Sequence, residues 1–294
     1  MNSDLIYSTT MAGVVTGSYY ALLGISLALI YRTTSVANFA QGHLGTLGVF
    51  LLFMYVSKLN FGAWGGVLVA VLLASIISGA IYIALLRPKP DTDHMGMTIK
   101  TLGLFMLVHA VLLYAWGENE PYVMTGIFSN GSVSVGGFFI SYEQMGTLAI
   151  AAVLAITFLL LMRYTRTGLA MRSVALNSEV ATLLGVNVDK VGALVWMISG
   201  GIGALVAMLI APVSFLGTNL MEPYILKAFT AAILGGLTSF PGVIAGGLIL
   251  GVLESYAATW ISISLREPFT FAVLLLVLVF RPNGLFGKVH LERV

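Results

Sequence analysis

Nine apolar runs follow one another along the chain, and no other feature limits its fold as strongly. They cover residues 5–31, 36–56, 62–86, 97–116, 145–164, 188–211, 221–237, 242–261 and 268–280. About 20 apolar residues are what a helix needs to cross the hydrocarbon core of a bilayer. A helix also satisfies its own backbone groups there, where no water can. Composition agrees: 59% of the 294 residues are hydrophobic and only 9% are charged, against about 45–50% and about 25% in soluble domains. So few charges cannot cover a soluble surface, which excludes an ordinary cytosolic enzyme, a nucleic-acid-binding module and a disordered chain. The net charge of +2 points to no anionic partner, and with no cysteine there are neither disulfides nor thiolate metal sites. The expected fold is an all-α polytopic membrane protein of eight to nine transmembrane segments, forming a single transmembrane domain over 1–294. The first run has no basic flank or small-residue cleavage site and is too long for a signal sequence, so it reads as a retained span. Two runs are open to either reading, crossing or re-entrant: 36–56, which starts with polar residues, and 221–237, which is short.

Lys and Arg set the expected orientation. If nine segments cross, one set of loops holds Arg32, Arg87, Lys89, Lys100, Arg163, Arg166, Arg172, Lys190, Arg281, Lys288 and Arg293, eleven of the fourteen basic residues. The other side has Lys58 and Arg266. The positive-inside rule then puts the C-terminus in the cytoplasm and the N-terminus outside. The outer loop 117–144 carries Glu118, Glu120 and Glu143, and its Asn130-Gly131 pair between apolar residues predicts a hairpin turn. The inner loop 164–188 has Val174, Val180, Leu183 and Leu184 apolar, with Arg172, Asn177, Ser178 and Glu179 polar. This pattern predicts a short amphipathic helix over 172–184, ended by Gly185 as a C-cap. Such a helix between two spans is suited to docking on a partner.

Motifs for chemistry are few. No G-x-x-x-x-G-K-[ST] loop is present, the four histidines are scattered, and Gly200-Gly201-Ile202-Gly203 lies in mid-span with no strand before it. The chain does not read as an enzyme, and any ATP-driven work requires another polypeptide. Gly242, Gly246, Gly247 and Gly251 fall in pairs four residues apart, which brings helix backbones close. The break between Leu237 and Gly242 is the alternative: a broken helix lining a pathway, with Thr238 and Ser239 facing it. Asn38 and Gln41, three apart at the start of their run, are expected to share a helix face; with His43 after them, they either cross-link helices or line the same pathway. Lys227 and Glu254 lie inside consecutive, antiparallel spans. They are six and seven residues from the outer ends, roughly 9–11 Å deep at 1.5 Å per residue. Intramembrane charges usually pair or line a cavity. A Lys227–Glu254 contact is therefore expected, serving either structure or substrate.

Four stretches carry a family likeness. They are Leu29-Ile30-Tyr31-Arg32 with Val36 to Gly42; Met171-Arg172 to Val188 through Asn177-Ser178-Glu179 and Leu183-Leu184-Gly185; Leu234 to Gly242 with Gly246-Gly247 and Leu253-Glu254-Ser255; and Phe280 to Gly287. In this order and spacing they resemble the LivH-type permeases of branched-chain amino acid ABC transporters, a broad family that includes urea and amide permeases. Many members have His where this chain has Gln41. The resemblance implies a permease subunit of an ABC importer in the bacterial plasma (inner) membrane. It would move branched-chain amino acids, or else urea, amides or small carboxylates, by ATP-driven alternating access. It implies a second, LivM-like permease, two ATP-binding subunits and an extracytoplasmic solute-binding protein as partners. No cofactor is expected on this chain; ATP is used by the partner subunits. The helix 172–184 would be the coupling helix, with Arg172, Asn177 and Glu179 as polar contacts and Leu183, Leu184 and Gly185 completing the docking surface. Two other readings stand beside it: a stand-alone secondary transporter or channel built on Lys227 and Glu254, and a non-transporting sensor.

Overall fold

Where the sequence runs apolar, the backbone is helical. The structure, a computed structural model, describes residues 2–59, 62–87, 94–117, 121–129, 131–135, 138–281 and 284–287. Glu118, Glu120, Asn130, Pro282, Asn283, Lys89, Lys288 and Arg293 lie outside the described residues. In chain order the elements are α1 (Asn2–Thr34), α2 (Gln41–Leu59), α3 (Ala63–Ile81, continued by a π turn over Tyr82–Leu86), α4 (His94–Trp116), β1 (Ser132–Val135), β2 (Phe138–Ser141), α5 (Tyr142–Tyr164), α6 (Arg166–Leu176), α7 (Ser178–Leu183), α8 (Val188–Ser214), α9 (Glu222–Gly235), α10 (Phe240–Trp260) and α11 (Arg266–Phe280).

Seven of the described helices are long and apolar enough to cross a membrane: Asp4–Thr34, Ala63–Leu86, Met95–Trp116, Tyr142–Tyr164, Val188–Ser214, Phe240–Trp260 and Ile263–Phe280. Of the two runs the sequence left between crossing and re-entering, α2 has 19 residues and rises about 28 Å at 1.5 Å per residue, close to the ~30 Å hydrocarbon core. The 14 residues of α9 rise about 21 Å, so α9 is the shorter of the two.

Side-chain caps set several boundaries. Thr165, Asn177, Asn187 and Ser239 each accept a hydrogen bond from a first-turn amide of α6, α7, α8 and α10, satisfying donors that have no partner within the helix. Pro241 in the first turn of α10 removes one such donor.

The chain divides into two compact units. The first comprises residues 1–28, 128–156 and 226–294. Glycine lets its helices touch. A Cβ on Gly251 would fall 2.3 Å from the Cα of Gly17, and one on Gly247 would fall 2.6 Å from the Cα of Ala21. Gly247 and Gly251 thus serve close packing of α10 on α1, while Gly242 and Gly246 bring α10 against α9, where a Cβ would lie 2.3 Å from Gly235 O and 2.5 Å from Ala231 O. β1 and β2 pair antiparallel, with Val133 opposite Ile140 and Val135 opposite Phe138. The ladder runs from Ser132 opposite Ser141 to Val135 opposite Phe138; Asn130 of the expected Asn130-Gly131 turn lies outside the described residues. Gly131 lies before the ladder, where its carbonyl accepts from Tyr142 N.

The second unit comprises residues 29–127 and 157–225. Its core is α2, α3 and α8, with Phe50 and Trp196 fully buried. The helices again meet at small residues. A Cβ on Gly48 would lie 2.4 Å from that of Ala204, and one on Gly200 would lie 2.0 Å from Ser78 Oγ. This packing explains the glycines of 200–203.

Candidate functional site

The buried charges of the first unit form one cluster. Lys227 on α9 places Nζ 2.6 Å from Oε1 of Glu254 on α10. Arg266, at the start of α11, places Nε 2.5 Å from the same oxygen, and Tyr20 on α1 donates to Oε2 at 2.7 Å. Glu254 is completely buried, and Lys227 is 8% exposed. A buried carboxylate is tolerated when charge and hydrogen bonds both satisfy it, and here three helices besides its own supply the partners. The sequence pointed to Lys227 and Glu254 and missed the other two. Arg266 follows Glu254 by twelve residues with a chain turn at 261–265 between them, so no helical spacing links them. Nothing in its neighbours marks Tyr20 out.

The polar start of run 36–56 is arranged differently from the expectation. Helix α2 begins at Gln41, not at Val36, so Asn38 lies outside the helix and shares no helix face with Gln41. Its side chain closes a turn instead: Oδ1 accepts from Ala40 N at 3.1 Å, and Nδ2 donates to Gln41 Oε1 at 3.0 Å. Such Asx turns compete with helix and hold the chain out of it. Gln41 Nε2 then donates to the carbonyl of Ser199 on α8 at 2.7 Å. Gly203 makes the room, since a Cβ there would lie 2.8 Å from that nitrogen. His43 pairs with His109 of α4, ring nitrogen to ring nitrogen at 3.0 Å, beside the ring of Phe105. Histidines scattered in sequence thus meet across 66 residues, a pairing that only the α2–α4 packing creates.

At the break between α9 and α10, Ser239 is occupied as the N-cap, accepting from Gly242 N, while Thr238 is exposed. The break is held from behind. Leu285 N donates to Leu234 O at 2.8 Å and Phe286 N to Gly235 O at 3.3 Å. Gly236 and Gly284 both adopt the left-handed conformation, with φ of +91° and +79°, and a Cβ on Gly284 would fall 2.5 Å from the Cα of Gly236. Two of the four stretches that carried the family likeness therefore form one junction.

The amphipathic stretch is two helices rather than one over 172–184. Helix α6 starts earlier, at Arg166, and ends at Leu176; α7 follows. Asn177 separates them in extended conformation, with φ −159° and ψ 109°, because its side chain caps α7 by accepting from Val180 N at 3.0 Å. Gly185, at φ +86°, ends α7 as expected. Its N donates to Thr182 O, and Val186 N donates to Ala181 O, which satisfies the last carbonyls. Met171, Val174 and Ala181 are buried, whereas Leu176, Leu183 and Leu184 are 76%, 87% and 77% exposed. Arg172 and Glu179 are exposed beside them. Among the described residues, no group of three His, Asp or Glu side chains gathers as a metal site would require.

These features define a class: a multi-pass α-helical membrane protein with tightly packed glycine helices, a buried ion cluster and a two-helix loop that presents bare leucines. Comparison with known proteins identifies it further. The family described as branched-chain amino acid transport system / permease component matches residues 9–278, and the chain belongs to that family of ABC transporter permeases. The LivH permease protein of the high-affinity branched-chain amino acid transport system of Escherichia coli K12 is 32% identical, over 96% of each chain. The BraD permease protein of Pseudomonas aeruginosa is 29% identical, also over 96% of each. The galactose/methyl galactoside import permease protein MglC of E. coli K12 is 26% identical over 84% of this chain and 70% of its own.

Proposed function

We propose that this chain is the membrane-spanning subunit of an ATP-driven importer of branched-chain amino acids in a bacterial plasma membrane. The observation that carries the reading is end-to-end similarity to LivH and BraD, whose names state that cargo. The chain has its N-terminus outside and its C-terminus in the cytoplasm, as the Lys and Arg asymmetry requires. Loop 164–188 is then cytoplasmic and loop 117–144 extracytoplasmic, both belonging to one transmembrane permease domain. The α6–α7 pair is the coupling element. Its exposed Leu183 and Leu184 enter an apolar groove of an ATP-binding subunit, flanked by polar contacts from Arg172, Asn177 and Glu179. Two such ATPases, a second LivM-like permease and a solute-binding protein complete the assembly. ATP supplies the work through those partners, and alternating exposure of the pathway follows from movement of the docked loops.

Asn38, Gln41, His43, Lys227, Thr238 and Glu254 are the residues assigned to the pathway or its support. Ser239, engaged as a cap, acts by fixing the break. A second reading, an uptake permease for another small polar solute, is favoured by the match to MglC, whose name states a sugar cargo.

The test is purification of the tagged chain with its neighbours in mild detergent, followed by ATP hydrolysis with binding protein and candidate solutes. Recovery of ATPases and a second permease, with hydrolysis stimulated by leucine, isoleucine or valine, is expected. Stimulation by a sugar or amide alone would favour the second reading. Flux from the chain without any ATPase would overturn both.

A further inference from the structure

A cavity of about 530 Å³ lies among the ends of α1, α6 and α8, wholly within the second unit. That volume is in the range of small-molecule sites, and its walls are chemically divided. Arg32 is the basic residue of the lining and Glu179 the acidic one. Thr33 and Thr34 donate their hydroxyl protons back to carbonyls of α1 at Leu29 and Ile30, so what they offer the cavity is acceptor lone pairs. Met97 and Val188 add apolar wall. Ser35, also in the lining, holds φ +56°, a conformation that non-glycine residues adopt where the surroundings impose it.

A guanidinium suits a carboxylate, and a carboxylate with hydroxyl acceptors suits an ammonium. Apolar wall beside them suits an aliphatic side chain. We propose that this cavity binds a free zwitterionic amino acid with an aliphatic side chain, carboxylate toward Arg32 and ammonium toward Glu179, and that its occupancy slows the transport cycle. The second half rests on the transport reading above, in which the loop is cytoplasmic and the solute is a branched-chain amino acid. The cavity wall at Val174–Glu179 includes the α6–α7 corner at Asn177. A ligand bridging it to the end of α1 restrains the segment that docks on the ATPase, so accumulated product limits its own uptake.

The experiment uses the complete transporter in lipid vesicles, with leucine-loaded binding protein outside and ATP supplied to the ATPases. Leucine trapped on the ATPase side is varied, and each variant is normalised to its own rate in leucine-free vesicles. Trapped leucine is expected to slow hydrolysis. Arg32→Gln is expected to need about tenfold more leucine for half-inhibition, the loss of one charge-assisted contact. Leucine binding to the purified complex without binding protein is also measured for Glu179→Gln, which leaves the end of α1 unaltered, with a similar weakening expected. No effect of trapped leucine on a transporter that outside leucine stimulates overturns this proposal alone. Failure of outside leucine to stimulate overturns the transport reading instead. Phosphatidylethanolamine shares the ammonium-and-anion chemistry. Inhibition that follows its content in the vesicles and ignores leucine also overturns the proposal.

Discussion

Lys227 reaches Glu254 across 27 residues of sequence, Nζ to Oε1 at 2.6 Å, inside a unit where the carboxylate has no exposure at all. Arg266 shares that oxygen, and the sharing makes the pair unequal. Glu254→Gln leaves two basic side chains facing each other around a neutral group. We expect a loss of about 3–5 kcal/mol, the usual result of removing one partner from a buried ion pair. Lys227→Met leaves Glu254 still bonded to Arg266 and Tyr20, and a smaller loss of about 1.5–3 kcal/mol is expected. Exchanging the two charges puts a lysine at 254 beside Arg266, so Lys227→Glu with Glu254→Lys should recover little. Adding Arg266→Gln to the exchange should recover more. Unfolding of the detergent-solubilised protein, followed by tryptophan fluorescence, ranks these variants; equal losses for the two single variants would contradict the shared-oxygen geometry.

The same glycine-to-alanine change should act in opposite directions at two sites. At Gly251 the new Cβ meets backbone, 2.3 Å from Gly17 Cα and 2.5 Å from Gly13 O, so helices must move apart. Overpacking of this kind costs about 1–3 kcal/mol. At Gly103 in α4 a Cβ meets nothing within 4 Å, and alanine's better helix propensity stabilises by about 0.8–1 kcal/mol. Thermal midpoints in one detergent decide the signs.

Helix positions, the Gly185 cap and the Lys227–Glu254 contact were legible because each depends on residues close in sequence or on regular spacing. Runs of apolar residues specify helix over many turns, and Gly185 signals its left-handed cap by itself. Asn177 was read as one polar residue of a continuous amphipathic helix. It is a helix breaker because its side chain caps the next turn, a choice between two local hydrogen-bond schemes that periodicity does not resolve. Asn38 was misplaced for the same reason. Arg266, Tyr20 and the His43–His109 pair were not legible, since each depends on which helices pack together. The glycine motifs at 234–242 and 280–287 were recognisable as a likeness, but their docking through Leu285 N and Leu234 O shows only in three dimensions.

Gln41 is a bridge with both ends buried: it accepts from Asn38 and donates to Ser199 O. Gln41→Leu leaves an amide and a carbonyl without these partners, and a loss of about 1–3 kcal/mol is expected. Gly203→Ala should disturb the same bridge from the other side, because its Cβ would lie 2.8 Å from Nε2. If the double variant loses no more than the larger single loss, the two residues act through one contact. Full additivity would show that they do not.

Leu183 and Leu184 offer the clearest separation of partner binding from folding. Each is more than three-quarters exposed, while Ala181, two and three residues earlier, is buried. Changing both leucines to aspartate removes apolar surface that the rest of the chain does not cover, so stability should stay within about 0.5 kcal/mol of the parent. If these side chains seat in an ATPase groove, burying two carboxylates there costs far more than the lost leucine contacts. We expect at least about tenfold less ATPase to co-purify with the double variant, with its melting midpoint unmoved. Ala181→Asp serves as the contrast, since it should lower the midpoint by placing a carboxylate against the buried side of α7. Unchanged ATPase recovery with the two leucines replaced would remove this loop from the docking surface.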